Sequence, residues 1–310
     1  MKILLDRLGQ YLALRRSLGF KLRDHERALR NFVVHLQAQG AEFITTEMAL
    51  EWAQQPRNVT QAHRARRLGM VRDFARHLAA SDPRTEIPPQ GLLPGRTQRT
   101  QPYIYSEKQI LSLIREAEKL LPVEGLRPHI YSTLFGLLAV TGMRVGEVVA
   151  LGRGDVDLSQ GVLTLRQTKF NNTRLLPIHP STQRRLQSYA RRRDELVPVQ
   201  STDSLFISDH GTRLKHFTVR WIFVKISRQI GLRSVTDSHG PRLHDLRHTF
   251  AVRTLINWYQ SGTDPEKQLP LLSAYLGHAK LSDTYWYLSA VPELLGAVNT
   301  RLEHVMGDLS

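Results

Sequence analysis

The chain has 310 residues, 41% of them hydrophobic, and no cysteine, which excludes disulfides, thiolate metal sites and a cysteine nucleophile. Lys and Arg number 43 against 28 Asp and Glu, giving a formal charge of +15 at pH 7, and a surplus of that size repels itself unless a polyanion such as nucleic acid is at hand. No apolar run reaches the roughly 18–20 residues that cross a bilayer, and the charged start, Met1 to Gln10, is unlike a secretion signal, so a cytoplasmic protein with no membrane partner is expected.

Residues 1–82 read as a small helical bundle. Leu4, Leu5, Leu8, Leu12 and Leu14 form a first apolar stripe, and Leu29, Phe32, Val33 and Leu36 a second that ends at Gly40. Thr45 or Thr46 caps a third helix carrying Met48, Leu50 and Trp52; Pro56 and Asn58 open a fourth with Leu68, Val71, Phe74 and Leu78. The fourth also carries Arg57, Arg64, Arg66, Arg67, Arg72 and Arg76 against Asp73. Such a face is either solvated or in contact with phosphate, and the missing acids favour phosphate, with Arg57, Arg64, Arg66, Arg67 and Arg72 as candidate DNA contacts. Residues 83–103 hold Pro83, Pro88, Pro89, Pro94 and Pro102 among glycines, with no periodicity. They read as an extended basic linker whose Arg96 and Arg99 are further candidate DNA contacts.

Residues 104–310 form the second expected domain, helical but interrupted by strands. Ser106 and Gln109 make a capping box. A helix apolar almost all round is expected from about His129 to Val140, and a short one over Val145 to Leu151 after the break at Thr141-Gly142. Val156 to Leu158, Val162 to Leu165 and Thr173 to Ile178 read as three short strands. Helices dominate after Ser181. The fold class is therefore mainly α with a small antiparallel β-sheet.

Five short pieces of the second domain carry chemistry, each weak by itself. Arg144 follows a helix break and starts the next helix, where it can aim at an anion. Lys169 lies in the turn between two strands, an ordinary place for a solvated lysine; Phe170 beside it either stacks on a base or sugar or packs under the hairpin. In His244-Asp245-Leu246-Arg247-His248-Thr249, His244 and Arg247 are three apart and share a helix face. Gly277 can stop a helix and leave His278 at its end. Tyr285 and Tyr287 are two apart, so only one of them can face a given site.

In that order and spacing, the pieces resemble the tyrosine recombinase (phage integrase) family. Lys169 stands eight residues before Pro177, as the hairpin motif does, and His-x-Leu-Arg-His-Thr and Leu-Gly-His are matched in full. Tyr287 lies nine residues past His278, the spacing that favours it over Tyr285. The resemblance covers about 105–304 by motif; residues 1–82 resemble the family's helical, SAM-like core-binding domain by architecture. It implies an α+β catalytic domain in which Arg144 and Arg247 bind the non-bridging oxygens of the scissile phosphate and His278 hydrogen-bonds the same group. Lys169 would protonate the leaving 5′ oxygen, His244 would assist proton transfer at the nucleophile, and Tyr287 would form a 3′-phosphotyrosyl bond. It further implies double-stranded DNA as partner, a homotetramer on two DNA sites, sister recombinases or accessory proteins in some members, and exchange of a final helix, Val291 to Met306, between subunits. Two Arg, one Lys and two His can surround a phosphoryl group without metal, and no Gly-x-x-x-x-Gly-Lys-Ser/Thr loop is present, so neither metal nor another cofactor is expected. A topoisomerase-like nicking and closing activity and a regulatory protein on a decayed scaffold stay as alternatives. Arg247 to His278 spans 31 residues, and the extra length is expected as a loop over Ser261 to Gln268.

Overall fold

In the computed structural model, helix α1 (Lys2–Ser17) turns Leu4, Leu8, Tyr11 and Leu12 inward at helical spacing. Leu5 and Leu14 sit on its flanks, 36% and 49% exposed, so the five-leucine stripe is narrower than expected. The structure describes residues 2–20, 22–95, 101–166, 173–237 and 239–290. Lys169 and Phe170, Arg96 and Arg99, and the segment 291–306 lie outside the described residues. The chain divides into two units, Met1–Thr100 and Gln101–Ser310.

In the first unit, α2 (Arg23–Ala38) buries Leu29, Phe32, Val33 and Leu36. Thr45, not Thr46, caps α3 (Thr46–Gln54) by accepting from the Met48 N–H at 3.2 Å. Thr60 caps α4 (Gln61–Ala79), which starts several residues later than Pro56 and Asn58 suggest. The stretch expected to be a linker is packed on this bundle through residue 95. The Glu86 N–H donates to Ile44 O at 2.8 Å, and the Glu86 carboxylate accepts from the Thr46 N–H at 2.7 Å. Arg72 donates to Pro88 O and Pro89 O at 2.6 and 2.7 Å. Prolines lack an N–H but keep their carbonyls, and a guanidinium that takes those carbonyls fixes a segment that has no periodicity to announce it.

In the second unit, Ser106 and Gln109 form the expected capping box at the start of α5 (Glu107–Ala117). Helix α6 (Leu126–Thr141) is buried on nearly every side and ends at Gly142, whose φ of +60° is the left-handed conformation of a helix stop. Helix α7 (Val145–Ala150) follows at once. Strands β1 (Val156–Asp157), β2 (Val162–Leu165) and β3 (Arg174–Pro177) pair antiparallel in that order, with Leu163 opposite Val156 and Leu176, and Leu165 opposite Arg174. Helices α8 (Pro180–Leu196) and α9 (His216–Gln229) close the larger apolar core with α5, α6 and the sheet.

Helices α10 (Asp245–Gln260), α11 (Pro265–Leu276) and α12 (Ser282–Ala290) form a smaller cluster around Val252, Leu255, Leu272 and Tyr287. The loop expected over Ser261 to Gln268 is shorter, because Asp264 caps α11 by accepting from the Glu266 N–H at 3.0 Å. Among the described residues no helix is long and apolar enough to cross a membrane.

Candidate active site

Helix ends build the site. The last carbonyls of a helix have no partner within it and carry partial negative charge, so buried cations gather there. Arg247, in the first turn of α10 and 2% exposed, donates to Gly142 O at the end of α6 (2.8 Å) and to Leu276 O at the end of α11 (2.7 Å). Burial and then Arg144 push its pKa down to about 10, so it stays charged at neutral pH. Arg144 caps α7 and donates to Gly277 O at 2.9 Å. The two guanidiniums thus grip adjacent carbonyls of the Leu-Gly-His segment.

Glu147 holds the arrangement from below. It accepts from the Arg144 backbone N–H (2.9 Å) and guanidinium (2.8 Å) and from Arg174 through both carboxylate oxygens, at 3.1 and 2.9 Å. Burial raises the Glu147 pKa, but Arg174 and Arg144 outweigh it and hold the carboxyl below its usual range. Arg174, at the start of β3, also donates to Tyr275 O at 3.0 Å. A Cβ at Gly277 would run into this guanidinium, which is why the segment needs glycine as well as for its φ of +67°. Gly142 is under the same constraint: a Cβ there would meet Phe250 Cδ1 at 2.6 Å.

Arg174 therefore ties β3 to Glu147 beside Arg144 and to the carbonyl of Tyr275, near the Leu-Gly-His segment. Arg174→Ala is expected to cost roughly 3 kcal/mol of stability, because it leaves a largely buried carboxylate with Arg144 as its one remaining cation among the described residues. Adding Glu147→Gln should recover part of the loss, and denaturant titration of both single variants and the double variant checks it. Additive losses would mean that the pair does not act as one.

The imidazoles complete the lining. His278 leaves the end of α11, its Nδ1 hydrogen-bonded to Thr284 Oγ1 at 2.7 Å. Burial, then Arg247 and Arg144, push it down to about 4, so it is neutral at pH 7. His244 is the N-cap of α10 and is exposed on one side; the protein packed around it, then Arg247, lower its pKa. Tyr287 on α12 is 2% exposed and its ring lies near-parallel to that of His278 (centroids 6.3 Å, 20°), whereas Tyr285 is 44% exposed. The Tyr287 hydroxyl is hydrogen-bonded to Nδ1 of His248 at 2.9 Å.

Arg144, His244, Arg247, His278 and Tyr287 are thus brought together. Glu147, Arg174 and His248 belong to the same site without having been singled out by the sequence reading. His248 stands four residues after His244, one helical turn, which was the available signal. Arg174 gave no comparable signal.

The candidate DNA arginines of α4 and of the segment before it differ in their surroundings. Arg57 and Arg66 are exposed. Arg64 donates to Pro56 O at 2.9 Å. Arg67 stacks on the Trp52 ring at 3.7 Å and donates to Trp52 O, and Arg72 pins the proline segment. Arg67 and Arg72 are thus engaged within the first unit, as Arg64 is, while Arg57 and Arg66 are exposed.

A helical domain that brings Arg, His-x-x-Arg, His and Tyr together, with a small antiparallel sheet, is the frame of a tyrosine recombinase. The phage integrase family model matches residues 105–293, and the chain belongs to that family. It is 50% identical over 299 residues, 95% of each chain, to "Putative integrase/recombinase y4rB" of Sinorhizobium fredii. To the tyrosine recombinase XerD of Neisseria meningitidis it is 28% identical over 288 residues, 92% of each chain. The fold matches the Tn1549 transposon integrase in complex with transposon right-end DNA with a TM-score of 0.63, covering 96% and 99% of the two chains at 15% identity.

Proposed function

We propose that this protein is a site-specific DNA recombinase that cuts and rejoins one strand at a time through Tyr287. The observation that carries the reading is the Tyr287 hydroxyl, hydrogen-bonded to the His248 imidazole on a buried side chain whose ring lies beside that of His278, next to the Leu-Gly-His segment that Arg144 and Arg247 hold. With DNA bound, Arg144 and Arg247 turn part of their donor capacity from helix-end carbonyls to the non-bridging oxygens of the scissile phosphate, and His278 adds a neutral N–H donor. Tyr287 attacks phosphorus, the P–O5′ bond breaks, and Lys169 protonates the departing 5′ oxygen. His244 assists proton handling at the nucleophile.

The phosphotyrosyl bond conserves the energy of the phosphodiester, so a second 5′-hydroxyl can reverse the step without nucleotide, metal or other cofactor. Duplex DNA is the substrate, and exchange between two sites calls for four subunits, one Tyr287 per strand cut. Arg57, Arg64 and Arg66 of the first unit, with Arg96 and Arg99, are proposed to touch phosphate. Integrase or transposase work on a mobile element, in the cytoplasm at the nucleoid, is the setting that suits the relatives' names, with sister or accessory proteins where a site requires them.

The test is a nicked suicide duplex built from the DNA that flanks the coding sequence. A covalent protein–DNA adduct is expected with the native protein and with Tyr285→Phe, and none with Tyr287→Phe. An adduct that survives Tyr287→Phe, or no adduct from the native protein, refutes the reading.

A further inference from the structure

The proposed reaction needs a group to take the phenolic proton of Tyr287, and a ring nitrogen of His248 is hydrogen-bonded to that hydroxyl. A phenol has a pKa near 10, so its proton must leave as Oη bonds to phosphorus if attack is to be fast at neutral pH. His248 lies one turn into α10, with Nδ1 2.9 Å from Tyr287 Oη. Its ring is held on both flanks: His244 meets it edge-on at 4.8 Å between centroids, and Trp286 packs against it at 5.7 Å. We infer that His248 is a catalytic residue, the base that takes the Tyr287 proton during cleavage and returns it during rejoining. This rests on the proposed role of Tyr287.

The electrostatics are consistent with that role. Burial and then His244 push the His248 pKa down to about 4, with Arg242 and Arg247 acting in the same direction and Asp245 against them. At pH 7 the ring is therefore neutral and has a lone pair to offer. A DNA phosphate entering beside Arg247 and His278 adds negative charge, which raises the proton affinity of His248 and discourages a free phenolate. Both changes favour direct transfer from oxygen to nitrogen.

The step balances. The Tyr287 Oη–H bond breaks and the proton goes to His248 Nδ1, the Oη–P bond forms, the P–O5′ bond breaks, and the 5′ oxygen takes its proton from Lys169. In rejoining, a 5′-hydroxyl attacks phosphorus and gives its proton to the neutral Lys169 amine, the P–Oη bond breaks, and the His248 imidazolium protonates the departing phenolate. His244 bears on this transfer through the ring it braces and is a positioning residue.

His248→Asn keeps an acceptor near the place of Nδ1 but cannot hold the proton. His248→Phe keeps the ring volume and loses the nitrogen. The readout is single-turnover adduct formation by the full chain on the flanking-DNA suicide duplex, from pH 6 to 9, with duplex binding followed by gel shift. The native rate is expected to vary little over that range. Both variants should bind DNA but cleave about 10²-fold more slowly at pH 7. Their rates should rise about tenfold per pH unit, as hydroxide replaces the missing base. Cleavage by His248→Asn within threefold of native at pH 7, or slower cleavage with the native pH profile, overturns the inference. If Tyr287→Phe still forms the adduct, the reading of Tyr287 falls and this inference with it. If Tyr287→Phe is silent while His248→Asn is fast, only the inference falls.

Discussion

Arg247→Ala is expected to lower single-turnover cleavage at least 10³-fold. The side chain is buried, charged and held by two carbonyls from two different helices, Gly142 O and Leu276 O. A cation fixed in that way is already in place and has only to redirect some of its donors when a phosphate arrives, and preorganised charge of this kind contributes about 10²–10³ per donor and up to about 10⁵ for an arginine at a transferring phosphoryl group. Truncation also leaves two helix-end carbonyls without their donor, at about 1–3 kcal/mol each where water cannot replace it. A domain with about 5–15 kcal/mol of stability stays folded through that loss, so the kinetic effect is read on native protein. A thermal melt and a gel shift on the flanking duplex verify this.

Arg247→Lys should do little better than alanine, retaining no more than about one part in a hundred of the native rate. An ammonium is a point charge on a flexible stem, without the planar fork that reaches two carbonyls and a phosphate from one position. Cleavage by Arg247→Ala within tenfold of native would place the scissile phosphate elsewhere.

The same arginine shows how far the sequence could be read. Arg144, the His244 to Thr249 run, Leu276 to His278 and Tyr287 are local strings, and their helix breaks are written in glycine. Gly142 and Gly277 do stop α6 and α11 in left-handed conformations. The sheet was equally legible, because β2 alternates a buried Leu163 and Leu165 with less buried neighbours. What could not be read were pairings across long separations. Arg174 meets Glu147 from 27 residues away and Tyr275 from 101, and no periodicity encodes such contacts.

Counting charge could not show which arginines have partners within the chain. Arg67 and Arg72 look like a phosphate-binding face when α4 is read alone, yet Trp52 and the carbonyls of Pro88 and Pro89 use them. A proline-rich stretch reads as a linker because its prolines can only accept hydrogen bonds, and acceptors leave no mark in composition. Glu147 and His248 were visible as letters but not as functions, since a capping glutamate and a second histidine on a helix are ordinary until their partners are in place. The choice of Tyr287 over Tyr285 rested on spacing alone, and the burial of one beside His278 and His248 and the exposure of the other now give it a geometric basis.

Lys169→Ala should slow cleavage about 10²–10⁴-fold on a natural duplex, the range of a lost general acid. An alkoxide is a poor leaving group and needs a proton as the P–O5′ bond opens, whereas a thiolate leaves without one. Replacing the bridging 5′ oxygen by sulfur should therefore bring Lys169→Ala to within about tenfold of native protein on the same substrate. The native enzyme itself should gain little from the sulfur, since its leaving group is already protonated in the step. Arg247→Ala should show no such rescue, because its cation serves the non-bridging oxygens, which the sulfur leaves unchanged. The contrast between the two variants on one pair of substrates separates the lysine that serves the leaving group from the arginine that serves the phosphoryl centre. Equal slowing of Lys169→Ala on oxygen and sulfur would remove Lys169 from the leaving-group role and leave Arg144, Arg247 and His278 with the phosphate alone.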